Sequence, residues 1–468
     1  MSNIKFKSKR VRFFFVDLCV ALLLVCLPFG NKLFAQTIVE VMALAYQNNP
    51  ALQAARAGMR AGDEGVSQEI ANWRPDVSVS ADMGFKQVTN TNISGSTRDQ
   101  TRHPKGFGLD LSQSLIRGGE LVPFDTMATK KAENTIRAAR ARLVTTEQTV
   151  LSDAVSAYMS VFQDRSVLKL NINNEQVLKR QLEATRDRFE VGEITRTDVF
   201  QAEARLAKAV ADRIQSEGDL RASLAAYNNV VGQMPKDNLL IPELPTDLPR
   251  TKEEAVKLAV THNPEVVAAN YDREAAVNNV EDVRAEFLPE LDLASSWTRD
   301  YQAAAECCQT TTKTLTLSLS IPLYQQGVVS SRLRKARQEV AQKTLQVDQQ
   351  RRDAVEAASA AWEGLNTARA RVKAFNAQIE ASKIALEGVE REAAVGSRTV
   401  LDVLDAEQEL LDSRVSHVRA QRSEIVATYE LLGSVGRMTA RDLKLPVTFY
   451  EPRNNYENVR GKWFGWGD

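Results

Sequence analysis

Two pairs of segments in this 468-residue chain repeat one another in the same order, and that repetition limits the plan the chain can adopt. LAYQNNP at 44–50 returns as LAVTHNP at 258–264, and each opens a helical run that stops near a second proline, Pro75 or Pro289. Further along, VGEITRTDVFQAE at 191–203 returns as VGSRTVLDVLDAE at 395–407. Matched Asn-Pro steps, matched terminal prolines and matched Gly-x-x-Thr turns mark a duplicated chain.

Each copy changes period along its length. After the Asn-Pro helices (Pro50–Trp73 and Pro264–Phe287), apolar residues take every second place. Val77, Val79, Ala81, Met83 and Phe85 alternate with Ser78, Ser80 and Asp82; Phe107, Leu109 and Leu111 alternate with Asp110 and Ser112. In the second copy the alternation involves Leu291, Leu293 and Trp297, then Leu315, Leu317, Leu319, Ile321 and Leu323. This predicts strands near 75–88, 105–116, 289–300 and 313–323, in two hairpins joined by polar loops near 89–104 and 301–313. Such strands are long enough to cross an outer membrane with one apolar face, although a half-buried soluble sheet alternates in the same way.

The helices that follow are unusually long. From Glu120 to Phe189 the only breaker is Pro123, placed in the first turn where proline is tolerated. As a helix this run would span about 105 Å, and Val328–Glu392 in the second copy about 98 Å. The shorter helices of each copy (Pro50–Trp73 with Arg196–Gly232, and Pro264–Phe287 with Val400–Gly433) sum to nearly the same lengths, so they are expected to stack end to end beside the long ones. Lys236–Arg250 and Leu445–Arg453 would then form a belt where the ends meet, with Trp463 to Trp466 packing there. The boundaries that result are a first repeat at 36–232, an equatorial linker at 233–250, a second repeat at 251–440 and a tail at 441–468.

Residues 1–35 read as a secretory signal. Lys5, Lys7, Lys9, Arg10 and Arg12 precede an apolar run, and Leu33-Phe34-Ala35 offers a cleavage site. Asp17 and Pro28 leave the run short of a spanning helix, and Val25 before Cys26 is too bulky for a lipid-anchor site. Without this segment the chain has 54 basic and 59 acidic residues (60 less six, 60 less one), which argues against nucleic acid. No later segment is apolar enough for a spanning helix, so any bilayer crossing must use strands. Four strands leave two open edges, and an open edge cannot face lipid; a barrel therefore needs strands from several chains. Cys307 and Cys308 receive no function.

With these features in place, the chain resembles the TolC family of outer-membrane exit ducts over essentially all of its mature length. VGSRTVLDVLDA at 395–406, IPLYQQG at 321–327 and the twin Asn-Pro helices carry the likeness. The resemblance implies a mostly α, mixed fold: a duplicated helical-hairpin unit forming a periplasmic α-barrel, joined to a twelve-stranded outer-membrane β-barrel to which each chain of a homotrimer gives four strands, with a small equatorial belt. It implies recruitment by a periplasmic adaptor (a membrane fusion protein) and an inner-membrane pump, contact with outer-membrane lipid, and no cofactor or chemistry of its own. The close fit to TolC and the missing lipid anchor favour type I secretion with an ABC transporter. The alternatives are the outer-membrane component of an RND-type drug efflux pump and a non-pore periplasmic helical scaffold.

The two turns differ where function would show. Gly192 and Gly396 suit left-handed C-caps, and Thr195 and Thr399 suit N-caps whose boxes Asp198 and Asp402 complete. Asp405 lies beyond the reach of capping and shares a helix face with Asp402, whereas the first copy has Gln201 there. Arg398 replaces Ile194. In a trimer Asp402 and Asp405 would form acidic rings that select or trap cations, and Arg398 could tie one hairpin to the neighbour's Asp198. The resemblance supports these roles but departs at Ala393, where an aromatic residue often joins the closing network, so a looser closed state is expected. The tip glycines, Leu401 and Val403 are candidate adaptor contacts. An enzyme is disfavoured: His103, His262 and His417 have no ligand spacing, and no hydrolase, zincin or P-loop motif occurs.

Overall fold

The computed structural model describes residues 36–121, 126–245, 247–303 and 308–465. The expected signal segment, Pro123, Cys307 and Trp466 lie outside them. Two helices open the described chain. Thr37 caps α1 (Ile38–Asn48) by accepting from the Glu40 N–H, and α2 (Pro50–Ala71) begins at a proline that needs no N–H partner. Four strands of one antiparallel sheet follow the order β1-β4-β6-β7: β1 (Asp76–Met83), β4 (Lys105–Arg117), β6 (Glu290–Tyr301) and β7 (Gln309–Ser320). A two-residue strand β5 (Glu120–Leu121) pairs with the end of β4.

The register sorts the side chains by polarity. Val77, Leu111, Ser295 and Leu315 are aligned across the sheet, and the next row on the same face is Val79, Leu109, Trp297 and Lys313. The opposite face carries Ser78, Asp110, Ser296 and Thr314 in one row and Ser80, Gly108, Thr298 and Thr312 in another. One face is thus mostly apolar, interrupted by Ser295 and Lys313, and the other is polar and made largely of small residues, the alternation expected of a wall between lipid and water. Leu315, Leu317 and Leu319 are well exposed, so no described residue covers that apolar face at β7.

The segment expected as a polar loop at 89–104 is instead a second ribbon, β2 (Lys86–Thr91) paired antiparallel with β3 (Thr97–Arg102). Both strands are polar and largely exposed, so no apolar alternation announces them; the Gly95 turn, at φ +79°, closes the hairpin.

Two long helices follow, but the first starts at Met127 rather than at the expected Glu120, because Glu120–Leu121 pair with β4 and Thr126 caps the helix. α3 (Met127–Glu190) has 64 residues and α7 (Val328–Ala394) has 67, about 96 and 100 Å at roughly 1.5 Å per residue. Beside α3 lie α2 and α4 (Arg196–Val231), of 22 and 36 residues; beside α7 lie α6 (Pro264–Ala285) and α8 (Val400–Ser434), of 22 and 35. α6 also packs along α3, which ties the two repeats together.

One asparagine makes each splice. The Asn49 side-chain oxygen accepts from the Ala51 N–H at 2.9 Å, capping α2, while its Nδ2 donates to the Val230 carbonyl at 3.0 Å, near the end of α4. Asn263, before α6, accepts from the Glu265 N–H at 2.9 Å and donates to the Ser434 carbonyl at 3.3 Å, at the end of α8. An N-terminus and a C-terminus thereby satisfy each other's orphan groups through a single side chain. α5 (Lys252–His262) ends at the second splice.

Around the first splice sits the main core. Met42, Tyr46, Leu151, Tyr158, Tyr227, Leu432 and Met438 are fully or almost fully buried there. A strap from the linker crosses it. The Gln36 N–H donates to the Asn238 carbonyl, the Leu240 N–H donates to the Gln36 carbonyl, and the Tyr158 hydroxyl lies 2.8 and 2.7 Å from the Gln36 and Leu240 carbonyls. Arg165 Nη1 donates to the Lys236 and Asp237 carbonyls. The last helix, α9 (Pro452–Arg460), lies against α2, where Asn455 donates to the buried Asp63. Trp463 was expected in the belt; it sits instead beside Arg74 at the strand end of α2, ring centroid to guanidinium 4.9 Å, because α9 carries the tail toward the sheet.

Gly436 shows how tight the second splice is. It holds φ +78°, and a Cβ there would come within 2.4 Å of the His262 carbonyl oxygen. Gly396 has the same φ class, but a Cβ added to it would meet no neighbour within 4 Å. Gly436→Ala is therefore expected to lower the melting temperature of the detergent-solubilised protein clearly more than Gly396→Ala, which bears only the left-handed strain of about 1–2 kcal/mol. Equal melting temperatures for the two variants would show that the splice yields freely.

Candidate functional site

The ends of the helices opposite the sheet form two hairpin tips. At the first, the Gly192 N–H donates to the Phe189 carbonyl at 2.9 Å and the Glu193 N–H donates to the Arg188 carbonyl at 2.9 Å. At the second, the Gly396 N–H donates to the Ala393 carbonyl at 3.1 Å and the Ser397 N–H to the Glu392 carbonyl at 3.0 Å. Both glycines are left-handed, at φ +81° and +79°, so each long helix stops with its last carbonyls satisfied.

The returning helices start from threonine. Asp198 accepts from the Thr195 N–H at 2.9 Å and from its hydroxyl at 2.7 Å. Asp402 accepts from the Thr399 N–H at 2.9 Å and the Thr399 hydroxyl at 2.8 Å, and its own N–H donates back to that hydroxyl at 3.2 Å. The Thr399 backbone donor, then its hydroxyl, then the nearby Arg398 charge hold the Asp402 carboxyl below the usual aspartate range.

An ion pair staples each turn, with the charges exchanged between copies. Arg188 meets Glu193 at 3.0 Å in the first, and Arg398 meets Glu392 at 2.9 Å in the second. Within the chain, then, Arg398 is engaged by its own hairpin and Asp198 by its own threonine; neither needs a neighbour to be satisfied. Ala393 adds no aromatic ring to this turn.

The two hairpins meet just above the tips. Val400 and Leu404 of α8 pack into a cluster with Leu178 and Leu182 of α3 and Ala202 and Ala209 of α4. At its rim the Asp405 carboxylate accepts from the Arg205 guanidinium, a contact across 200 positions of sequence. Sequence reading missed Arg205. Its counterpart in the second copy is Glu409, and that exchange of sign, opposite the replacement of Gln201 by Asp405, was the available signal.

Val403 was a candidate adaptor contact, but it is buried at 6% exposure, because the helical turn that sends Leu404 into the seam carries Val403 inward too. Leu401 is half-buried. The exposed large apolar groups at the tips include Phe189, Val191, Phe200 and Val395, with the Arg196 guanidinium over the Phe200 ring at 5.3 Å.

Glu407 was also missed. One of its carboxylate oxygens is buried without a hydrogen-bond partner, and burial, followed by the charge of Glu390, pushes its carboxyl up to about 7. Among the described residues no group of His, Cys, Asp and Glu could hold a metal, and no helix is long and apolar enough to cross a membrane. A pair of acid-bearing helical tips, a long helical wall and a sheet with one mostly apolar face can guide a solute.

Comparison with known proteins agrees with this geometry. The profile of the family described as "Outer membrane efflux protein" matches residues 41–233 and 255–437, one stretch per repeat. The outer membrane efflux protein BepC of Brucella suis biovar 1 is 34% identical over 440 residues, covering 93% of each chain. The outer membrane protein TolC of Vibrio cholerae is 25% identical, over 88% of this chain and 94% of its own. The proteases secretion protein PrtF of Dickeya chrysanthemi is 25% identical, over 90% and 93%. Among solved structures, the Campylobacter jejuni CmeC outer membrane channel superposes with a TM-score of 0.75 at 14% identity, over 91% of this chain and 89% of its own. The VceC outer membrane protein of Vibrio cholerae gives 0.71 at 19%, over 85% and 96%. From its duplicated helices to its four-stranded sheet, the chain belongs to the outer membrane efflux protein family.

Proposed function

We propose that this chain is one third of a trimeric outer-membrane exit duct, passing substrates from an inner-membrane pump and a periplasmic adaptor to the exterior. The observation that carries the reading is the sheet. Its apolar face is bare, and its edge strands β1 and β7 each pair on one side only, as a barrel shared between chains requires. Three copies would close twelve strands, and helices of about 100 Å would continue the duct across the periplasm.

The tips are its entrance. Asp402 and Asp405 from neighbouring chains form the acidic rings, with Asp198 and Arg398 beside them. For Arg398 to reach a neighbour's Asp198, it must exchange its Glu392 partner, so closure between chains competes with the staple inside each turn. Gly192, Thr195, Gly396 and Thr399 shape the tips. Adaptor contact falls to the exposed Val191, Phe200 and Val395 and to the half-buried Leu401.

Type I secretion with an ABC transporter is the pump assignment we favour. Support comes from the likeness to PrtF, which is named for protease secretion, and to TolC. The likeness to BepC, named for efflux, favours the second reading, an RND-type pump. Cross-linking in intact cells followed by identification of the inner-membrane partner decides: an ABC transporter sustains the first reading, a proton-driven pump the second, and a wholly soluble chain on fractionation removes both.

Two further outcomes are expected. In planar bilayers, Asp402→Ala with Asp405→Ala abolishes block by a multivalent cation added at the periplasmic side; unchanged block and conductance would sink the acidic-ring reading. Glu407 gives a pH dependence. Its folded pKa, about 7, lies above the unfolded value, so the folded state binds the extra proton between the two, and stability falls as pH rises through that interval. Amide exchange in the first turns of α8, corrected for its intrinsic pH dependence, should therefore be faster at pH 8 than at pH 5.5. Glu407→Gln should remove the difference.

A further inference from the structure

We propose that Arg205 sets the electrostatic strength of the entrance by neutralising Asp405, and so determines how strongly the duct selects or traps cations. The inference rests on reading the hairpin tips as that entrance. Arg205 projects from α4, in the first repeat, onto the carboxylate of Asp405 on α8, in the second. The adjoining apolar seam, with Leu404 at 1% exposure, fixes the two helices at this level, so the pair is held in place by packing rather than by its own attraction.

That distinction matters. Both side chains remain partly exposed, 31% for Arg205 and 56% for Asp405, and an ion pair so placed contributes little to stability. Its effect on a pore is different in kind. A ring of like charges within low-dielectric walls focuses the field on the axis, and a counter-charge fixed to the same ring lowers that field for every passing ion. With Arg205 in contact, each chain presents Asp402 and Asp405 with one of the two charges compensated; without it, both charges count.

The charged groups around the pair leave this task to Arg205. Arg398 is held by Glu392, and Arg186 by Glu203 at 2.6 Å. Glu407 faces Glu390, and Glu409 accepts from Gln378 at 2.9 Å. The duplication carries the same message. The first repeat has Gln201 and Arg205 where the second has Asp405 and Glu409, so the charge added to one repeat is met by an opposite charge on the other. Separation of the hairpins would also draw Arg205 away from Asp405, so the entrance would become more cation-attracting as it opens.

The test uses the full-length protein in planar bilayers, with hexamminecobalt(III) added at the periplasmic side. Arg205→Gln keeps a hydrogen-bonding side chain and removes the charge; it is expected to lower the half-blocking concentration roughly tenfold. Arg205→Lys should match the unaltered protein. Arg205→Gln with Asp405→Asn, which restores the original net charge per chain, should return block to the original concentration. If Arg205→Gln raises resting conductance yet is blocked at the same concentration as the unaltered protein, Arg205 only holds the hairpins together and the assignment is overturned. If neither the unaltered protein nor any variant is blocked, the reading of the tips as an acidic entrance fails, and this inference with it.

Discussion

Everything in this structure hangs on where backbone hydrogen-bonding groups can be satisfied. Helix ends leave unpaired N–H and carbonyl groups, and here two asparagines settle both kinds at once. Asn49 joins the end of α4 to the start of α2, and Asn263 joins α8 to α6. The partners are equivalent by the duplication: the asparagines stand 214 positions apart, the carbonyls of Val230 and Ser434 stand 204 apart. Because the short helices are spliced, each pair runs beside one long helix for nearly its full length, and the wall has no gap at the equator. The buried tyrosines and the Gln36 strap then fill the joint.

The same requirement at the other end is why the proposed barrel must be shared between chains. A sheet of four strands has two unpaired edges, and hydrocarbon offers those edges nothing. The register makes the choice of environment for each face, since Val77, Leu111 and Leu315 share one side and Ser78, Asp110, Ser296 and Thr314 the other. A chain whose sheet is built this way and whose helices are about 100 Å long has its function written in its geometry.

At the hairpin tips the duplication works as an internal control. Gly192 and Gly396, Thr195 and Thr399, Asp198 and Asp402 do the same local tasks in both copies, which is why they repeat. Charge differs at several equivalent positions: Arg188 against Glu392, Ile194 against Arg398, Gln201 against Asp405 and Arg205 against Glu409. Arg188 and Arg398 find their partners within their own turns, and Arg205 finds Asp405 across the repeats. Local geometry is thus kept between the two copies while charge is redistributed around the hairpin tips.

Much of this was legible in the order of residues. Asn-Pro, Gly-x-x-Thr and the switch from helical to alternating spacing fix helix starts, turns and strands, because each depends on interactions within a few positions. The β2–β3 ribbon was not legible, since both its faces are solvated and its residues carry no period; nor was the place of Trp463, which depends on where α9 carries the tail. Val403 read as a surface residue because its burial depends on helix packing that spacing along the chain does not show. Arg205 and Glu407 escaped for the same reason: one finds its partner 200 positions away, the other is buried by packing that no local pattern specifies. The sequence by itself determined the long helices, the four strands of the main sheet and their duplication, all consequences of short-range backbone chemistry. Only the tertiary structure decided which charges meet, since an ion pair is set by distance in space and not by spacing along the chain.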